Sequence, residues 1–423
     1  MSTPPLSGYR VIDMTAVVAG PYATQIIADL GADVIKIESP GGDLMRGAGK
    51  GKRHADMAPI YLTINRNKRS VCLDLKRESA REVMRRLLAG ADAFVTNVRP
   101  QGLRRLGFDY EGVRGVRPDI VYVHLVGFGS RGRYAGRQAY DDLVQAASGI
   151  ADLLPRTERG GDPRFLPSLI ADKATGLHAV YGLLAALLHR ERTGEGQFVE
   201  VPMLESLVSF NLVEHLYGHV HVPPTAQWGY TRVLTPNRRP FRTKDAFIAI
   251  MPYTDEHWPL FFELAGHAQM WDRWRNASIQ DRTRHIDELY ATIGKVTREK
   301  TTDEWMELLD AHNIPCMRIN RLEDLPDDPH LRDVEFFEPH RHPTEGDYVS
   351  MRHPVRFSRN DTPLRLHPPR LGADSAAVLD ELGFGEDEIR ALIADGSVGE
   401  PAAGEDDDSG FDAREREEEG GAG

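Results

Sequence analysis

Short apolar runs alternate with amphipathic stretches through the first part of the chain. Tyr9 to Met14, Asp33 to Ile37, Ser70 to Leu75, Ala93 to Val98 and Ile120 to Val126 have the length and β-branched content of strands. Tyr22 to Leu30, Ser79 to Leu88 and Tyr140 to Ile150 place apolar residues at helical spacing between several of them. This rhythm predicts an α/β fold: a Rossmann-like large domain with a mostly parallel sheet flanked by helices, and ligands at the carboxyl ends of the strands. No G-x-G-x-x-G follows the first strand. Ala19-Gly20-Pro21 opens the first helix instead, so the expected shape implies no nicotinamide or other redox cofactor.

The pattern changes after Gln197. A strand at Phe198 to Val201 and a helix at Leu204 to His219 lead into Val222-Pro223-Pro224, a Pro-rich connector that marks a domain boundary. Phe247 to Met251 and Pro315 to Ile319 then read as strands, and His257 to Ala265 and Thr302 to Ala311 as helices. The expected organisation is a large domain over 1–222, a smaller α/β domain over 223–330, a segment over 331–398 and an acidic tail over 399–423. From Glu400 onward the chain holds ten acids against two arginines, which accounts for most of the net charge of −12. Repeated like charges with few large apolar residues predict a disordered, solubilising tail.

The remaining composition narrows the function classes. Cys72 and Cys316 stand far apart and form neither a disulfide framework nor a redox or metal motif. The first residues lack the pattern of a signal peptide, and no apolar run reaches spanning length, so a cytoplasmic protein without membrane contact is expected. Arg85-Arg86, Arg104-Arg105 and Arg238-Arg239 are scattered among acids, which argues against nucleic acid as a partner. His215, His219 and His221 offer metal-like spacing, but a helix ending in partly exposed histidines explains them better, and no metal is expected.

The most informative stretch runs from Pro167 to Leu204. Ala174 to Leu188 is apolar with almost no charge, which predicts a largely buried helix, and Asp172 stands at its mouth. A helix N-terminus favours an anion, so Asp172 is expected to be ionised and is the candidate nucleophile; on local sequence alone an N-cap is the more ordinary reading of an Asp in this place.

A longer pattern weighs on that choice. Asp172, Thr175 and Gly176, the apolar helix, Arg190 to Gln197 and Val199-Glu200-Val201 resemble the central signature of the family III CoA-transferases. Val11-Ile12-Asp13, Ala19-Gly20-Pro21, Asp29 to Glu38, Asn67 to Ser70, Asn97, Pro100, Leu103, Arg105, Gly107 and Phe108 are similar to the family's opening in the same order. The resemblance implies that Asp172 forms covalent acyl and CoA adducts. It also implies CoA contacts from Val18, Leu73, Lys76, Asn97, Arg105 and Tyr140, an interlocked homodimer, a return of the chain to the large domain near Val355 to Phe357 and Ala376 to Leu382, and acyl-CoA as substrate with no permanently bound cofactor. The related α-methylacyl-CoA racemases share much of the pattern and define the alternative function. They place a His where Ala139 to Val144 offers Tyr140, and an unperturbed phenol with a pKa of about 10 suits α-proton exchange poorly. Val18, Ser39, Ala48 and Gln138 depart from the formyl-CoA transferase pattern, which argues against oxalate and formate as substrates.

The chemistry so implied is CoA transfer between carboxylic acids. Asp172 attacks a thioester to give a mixed anhydride and CoA thiolate, the thiolate returns to form an aspartyl-CoA thioester, and an acceptor acid reverses the steps. Backbone N–H groups near the helix start or around Gly127 and Gly129 are the expected oxyanion donors. Asn237 to Asp245 is a basic hairpin-like surface that could also receive an acidic group.

Overall fold

The computed structural model describes residues 3–158 and 160–402. The expected acidic tail therefore lies almost wholly outside the described residues. The chain divides into two compact units, one built from residues up to Leu125, Gly176–Val201 and the chain from Phe337 onward, the other from Val126–Thr175 and Pro202–Phe336. The smaller domain expected over 223–330 thus belongs to a unit that also takes 126–175 and 202–222, and the chain rejoins the first unit at Phe337.

The first unit is a twisted sheet with helices on both faces. Its strands β1 (Arg10–Met14), β2 (Asp33–Glu38), β3 (Lys68–Leu73), β4 (Ala93–Thr96), β5 (Val121–Val126) and β6 (Phe198–Pro202) follow the apolar runs. Across the sheet they lie in the order β3, β2, β1, β4, β5, β6, and a final strand, Val398–Gly399, closes the outer edge of β3. β1 to β4 pair in parallel with their neighbours, as do β4 and β5; the closing strand is antiparallel. The sheet reverses its winding between β1 and β4, the place where doubly wound folds bind ligands.

Alternate residues explain the two layers. Ile12, Ile35, Val71, Phe94 and Tyr122 pack with α3 (Glu78–Ala89), which follows α1 (Ala19–Asp29) and the short α2 (Pro59–Ile64). Val378 and Leu379 join that layer from Ser375–Glu381. The stretches expected to return, Val355 to Phe357 and Ala376 to Leu382, both lie in the chain from Phe337 onward that belongs to this unit; the second is this helix, and Val355 and Phe357 are exposed. On the opposite face Val11, Val34, Val95, Val121 and Val123 pack against Ala23 and Ile27 of α1 and against Ala179, Leu183 and Leu187. Gly176 is required there: a Cβ would sit 2.9 Å from the Ala19 carbonyl and the Tyr22 ring.

The second unit has two apolar centres. Val144, Ile150, Ala171, Ala174, Met203 and Leu207 form one; Phe241, Trp258, Phe261, Phe262, Trp271, Tyr290, Ile293 and Trp305 belong to the other. The latter lies under an antiparallel sheet of Phe241–Arg242, Phe247–Ile250 and Cys316–Arg318. Among the described residues no helix is long and apolar enough to cross a membrane.

Candidate active site

The helix that carries Asp172 runs Ile170–Thr193, starting four residues before the apolar stretch that foretells it. Asp172 is therefore the third residue of the first turn, and the reading of it as an N-cap does not hold. Its own backbone N–H is satisfied from outside the helix, donating to Asp141 Oδ1 at 3.0 Å. Asp141 opens Asp141–Ala147, is itself buried, and accepts at its other oxygen from Gln145 Nε2 at 2.6 Å. Gln145 also donates to the Ser168 carbonyl and accepts from the Leu166 N–H, which pins the approach to the helix.

Two carboxylates in one poorly solvated place cannot both ionise cheaply. Asp172 is 8 % exposed. Burial first, and the charge of Asp141 second, push its carboxyl up to about 7. The expectation of an ionised Asp172 held by the helix terminus is corrected: desolvation and a like charge outweigh the partial positive charge of the first turn, which is worth only about 1 kcal/mol or so.

The expected oxyanion donors fare unevenly. The Gly129 N–H donates to Glu205 Oε1 at 3.0 Å and is not free in this state. The Gly127 carbonyl accepts from Leu204 N–H at 3.1 Å, and a Cβ on Gly127 would overlap that of Ala139, so this glycine serves close packing. Tyr140 is half exposed at the N-cap of Asp141–Ala147, and its hydroxyl accepts from Gln138 Nε2 at 2.7 Å. Of the histidines with metal-like spacing, His219 stacks on Trp228 at 4.3 Å and His215 Nδ1 accepts from the Tyr230 N–H. Among the described residues no group of three His, Cys, Asp or Glu side chains could hold a metal ion.

The other expected contacts belong to the first unit, at or after the ends of β1, β3 and β4. Val18 is buried at the start of α1. Asn97 follows β4 and clasps the β1–α1 loop, accepting from the Ala16 N–H at 3.1 Å and donating to the Ala16 carbonyl at 2.8 Å. Lys76 and Arg105 are exposed, Arg105 in the last turn of Pro100–Leu106. Leu73 is in the core under α3.

How that loop is held is not visible in the sequence. Val17 has φ of 72°, a left-handed conformation unusual for a β-branched residue. Its N–H donates to Asp43 Oδ1 at 2.9 Å, while Asp43 Oδ2 accepts from Lys36 Nζ at 2.9 Å. Both partners of that ion pair are fully buried. Lys36 also donates to the Thr15 carbonyl; Asp13 accepts from Thr15, Thr24 and Lys68. Burial opposes charge on Lys36, but Asp13 and Asp43 outweigh it and hold the amine above its usual range. Strain of this kind persists only where surroundings over-determine the backbone, and here it lies at the sheet's reversal point.

The first unit has a Rossmann-like sheet with a clamped loop at its reversal point, and the second carries a buried aspartate in the first turn of a helix, a candidate covalent carboxylate. Residues 6–375 match the model of CoA-transferase family III, and the chain belongs to that family. It is 32 % identical to the formyl-CoA:oxalate CoA-transferase of Streptomyces avermitilis, over 94 % of this chain and all of that protein. The enzyme of the same name from Shigella sonnei is 31 % identical over 93 % of this chain and 99 % of its own length. Among solved structures, Rv3272 from M. tuberculosis superposes with a TM-score of 0.77 at 30 % identity, covering 89 % of this chain and 99 % of that one. A CAIB/BAIF family protein from Brucella suis gives 0.76 at 29 %, covering 90 % and 100 %. The protein is thus a family III CoA-transferase.

Proposed function

We propose that the enzyme moves CoA from an acyl-CoA donor to a carboxylic acid acceptor, with Asp172 as covalent nucleophile. The observation that carries this reading is the environment of Asp172: little solvated, beside Asp141, with its carboxyl raised to about 7. A more basic carboxylate is a better nucleophile, and its affinity for an acyl group lies nearer that of a thiolate with pKa of about 8.5. The carboxylate attacks the thioester carbonyl, forming an anhydride as the C–S bond breaks. The released thiolate attacks the aspartyl carbonyl, the donor acid departs, and the acceptor carboxylate runs both steps backwards.

In this reading Val18, Leu73, Lys76, Asn97, Arg105 and Tyr140 form or support the CoA site. Exposed Lys76 and Arg105 suit phosphate, whereas Asn97 and buried Leu73 act through the loop and the strand end they hold. The relatives named formyl-CoA:oxalate CoA-transferases support the reaction class, but an apolar Val18 offers no hydrogen bond to a small oxalyl or formyl group, and we assign a different acid pair. An interlocked homodimer, cytoplasmic like other soluble metabolic enzymes, completes the reading. It is supported by exposed Leu177, Tyr181 and Leu188 along the Asp172 helix and by Val213, 83 % exposed. Sedimentation of the purified protein as a monomer would remove the dimer.

The deciding experiment is incubation with a panel of acyl-CoAs in deuterated buffer, a hydroxylamine quench and peptide mass spectrometry. A hydroxamate on Asp172 is expected. Deuterium at the acyl α-carbon without that adduct would replace transfer by racemisation.

A further inference from the structure

The second unit contains a cavity of about 400 Å³ that the transfer chemistry does not use. It is lined by Arg239, Arg242, Lys295 and Arg298, with Phe241, Phe247 and Tyr290 among its walls. The strand Phe241–Arg242 pairs with Phe247–Ile250 so that Arg242 stands opposite Phe247, its guanidinium 5.7 Å from the ring centroid. Helix Ile286–Val296 supplies Tyr290 and Lys295 from the facing side, and the turn Thr297–Glu299 supplies Arg298. Thr297 Oγ1 ties the two sides by donating to the Arg242 carbonyl at 3.0 Å.

The charge balance of this cavity is one-sided. None of its lining residues is acidic. The carboxylates around it are engaged elsewhere: Asp287 accepts from Asn237 and Thr235, Asp245 from Thr243 and Thr302, and Glu299 from His267. A helix C-terminus accounts for Lys295 and Arg298, since cations are favoured there. It does not account for Arg239 and Arg242, which arrive on the hairpin and add like charge to the same hollow at an electrostatic cost. Guanidinium forks match phosphate and carboxylate oxygens in pairs, and aromatic walls receive a planar or apolar body.

We infer that this cavity is a binding site for a small organic polyanion, a planar or apolar body carrying two or more phosphate or carboxylate groups. The site is separate from the chemistry at Asp172 and does not depend on the function proposed above.

Isothermal titration of the full chain without CoA tests it, the R242A/R298A variant distinguishing this cavity from the CoA site. ADP serves as the phosphate probe and benzene-1,3,5-tricarboxylate as the carboxylate probe. Binding of at least one at a single site per chain is expected, weakening as salt is raised and falling at least tenfold in the R242A/R298A protein. Binding by ADP alone assigns the site to phosphates, by the tricarboxylate alone to carboxylates, and by both to their shared charge. No heat from either probe, or equal affinity in wild type and variant, overturns the inference. If the double variant loses its thermal transition, Lys295→Ala takes its place, and an unchanged affinity there has the same meaning.

Discussion

Asp141 holds the backbone N–H of Asp172 at 3.0 Å and at the same time raises the proton affinity of the Asp172 side chain. One carboxylate thus places the neighbouring aspartate and tunes it. The geometry is set by the hydrogen bond, whereas the tuning is set by charge, so the two can be separated by an isosteric change.

Asp141→Asn keeps an oxygen for the Asp172 N–H and removes the negative charge. Asp172 must lose its proton to attack, so the wild-type rate should rise with pH through about 7. In the variant the same limb should move to lower pH. A pH profile of kcat/KM that stays in place would show that the raised proton affinity comes from burial alone.

Asp172→Asn should abolish turnover and stabilise the fold at alkaline pH. Between the usual aspartate range and about 7 the folded protein holds a proton that the unfolded chain has lost, so wild-type stability falls as pH rises across that window and stays reduced above it. The asparagine carries no such penalty. Urea denaturation should show the variant more stable at pH 8, by at most about 4 kcal/mol for a shift of roughly three pKa units, with the difference closing toward pH 4. Equal stability at both ends would refute the raised proton affinity.

Asp43→Ala should be among the most damaging single changes in the first unit. It takes from the buried Lys36 ammonium the carboxylate to which it donates and frees the Val17 N–H. A loss of about 3–5 kcal/mol is expected from chemical denaturation, as for other broken buried pairs. Val17→Gly makes the complementary test: glycine adopts φ of 72° without strain, so folding should persist while KM for acyl-CoA rises as the loop loosens. An unchanged KM would detach the strained loop from CoA binding.

Val398→Ala should cost about 1–3 kcal/mol. The side chain is 1 % exposed and packs with the core beneath α3. A thermal midpoint equal to that of wild type would mean that the closing strand contributes little.

Much of the first unit was legible because its strands are buried on both faces and spell themselves out as apolar runs; β2 and β4 lie within two residues of the runs that foretell them. Helix Pro59–Ile64 and the closing strand were not, since one turn of helix or two strand residues make no period. Lys36 interrupts an apolar run and Lys68 stands in the polar stretch Asn65 to Ser70, so both look like exposed positions, yet both are buried among carboxylates that arrive from other segments. Asp172 was visible because a long apolar helix points to it. The extra turn before that stretch was not, because Ala171 gains its apolar surroundings only when Val144 and Leu207 come to meet it. The same holds for Asp141, whose importance rests on a distance of 3.0 Å across 31 residues of chain.

The strand Val398–Gly399 has a consequence for how the protein is made. β3 emerges from the ribosome early, and its outer edge stays unpaired until the far end of the chain arrives, together with Ser375, which binds the Cys72 N–H from 303 residues away. Throughout synthesis the nascent sheet carries an open flank that could recruit the strand of another chain. Ribosomes stalled before this segment would therefore release a species prone to aggregate although most of its core residues are already present, and a chaperone that shields strand edges would be needed longest by this part of the molecule.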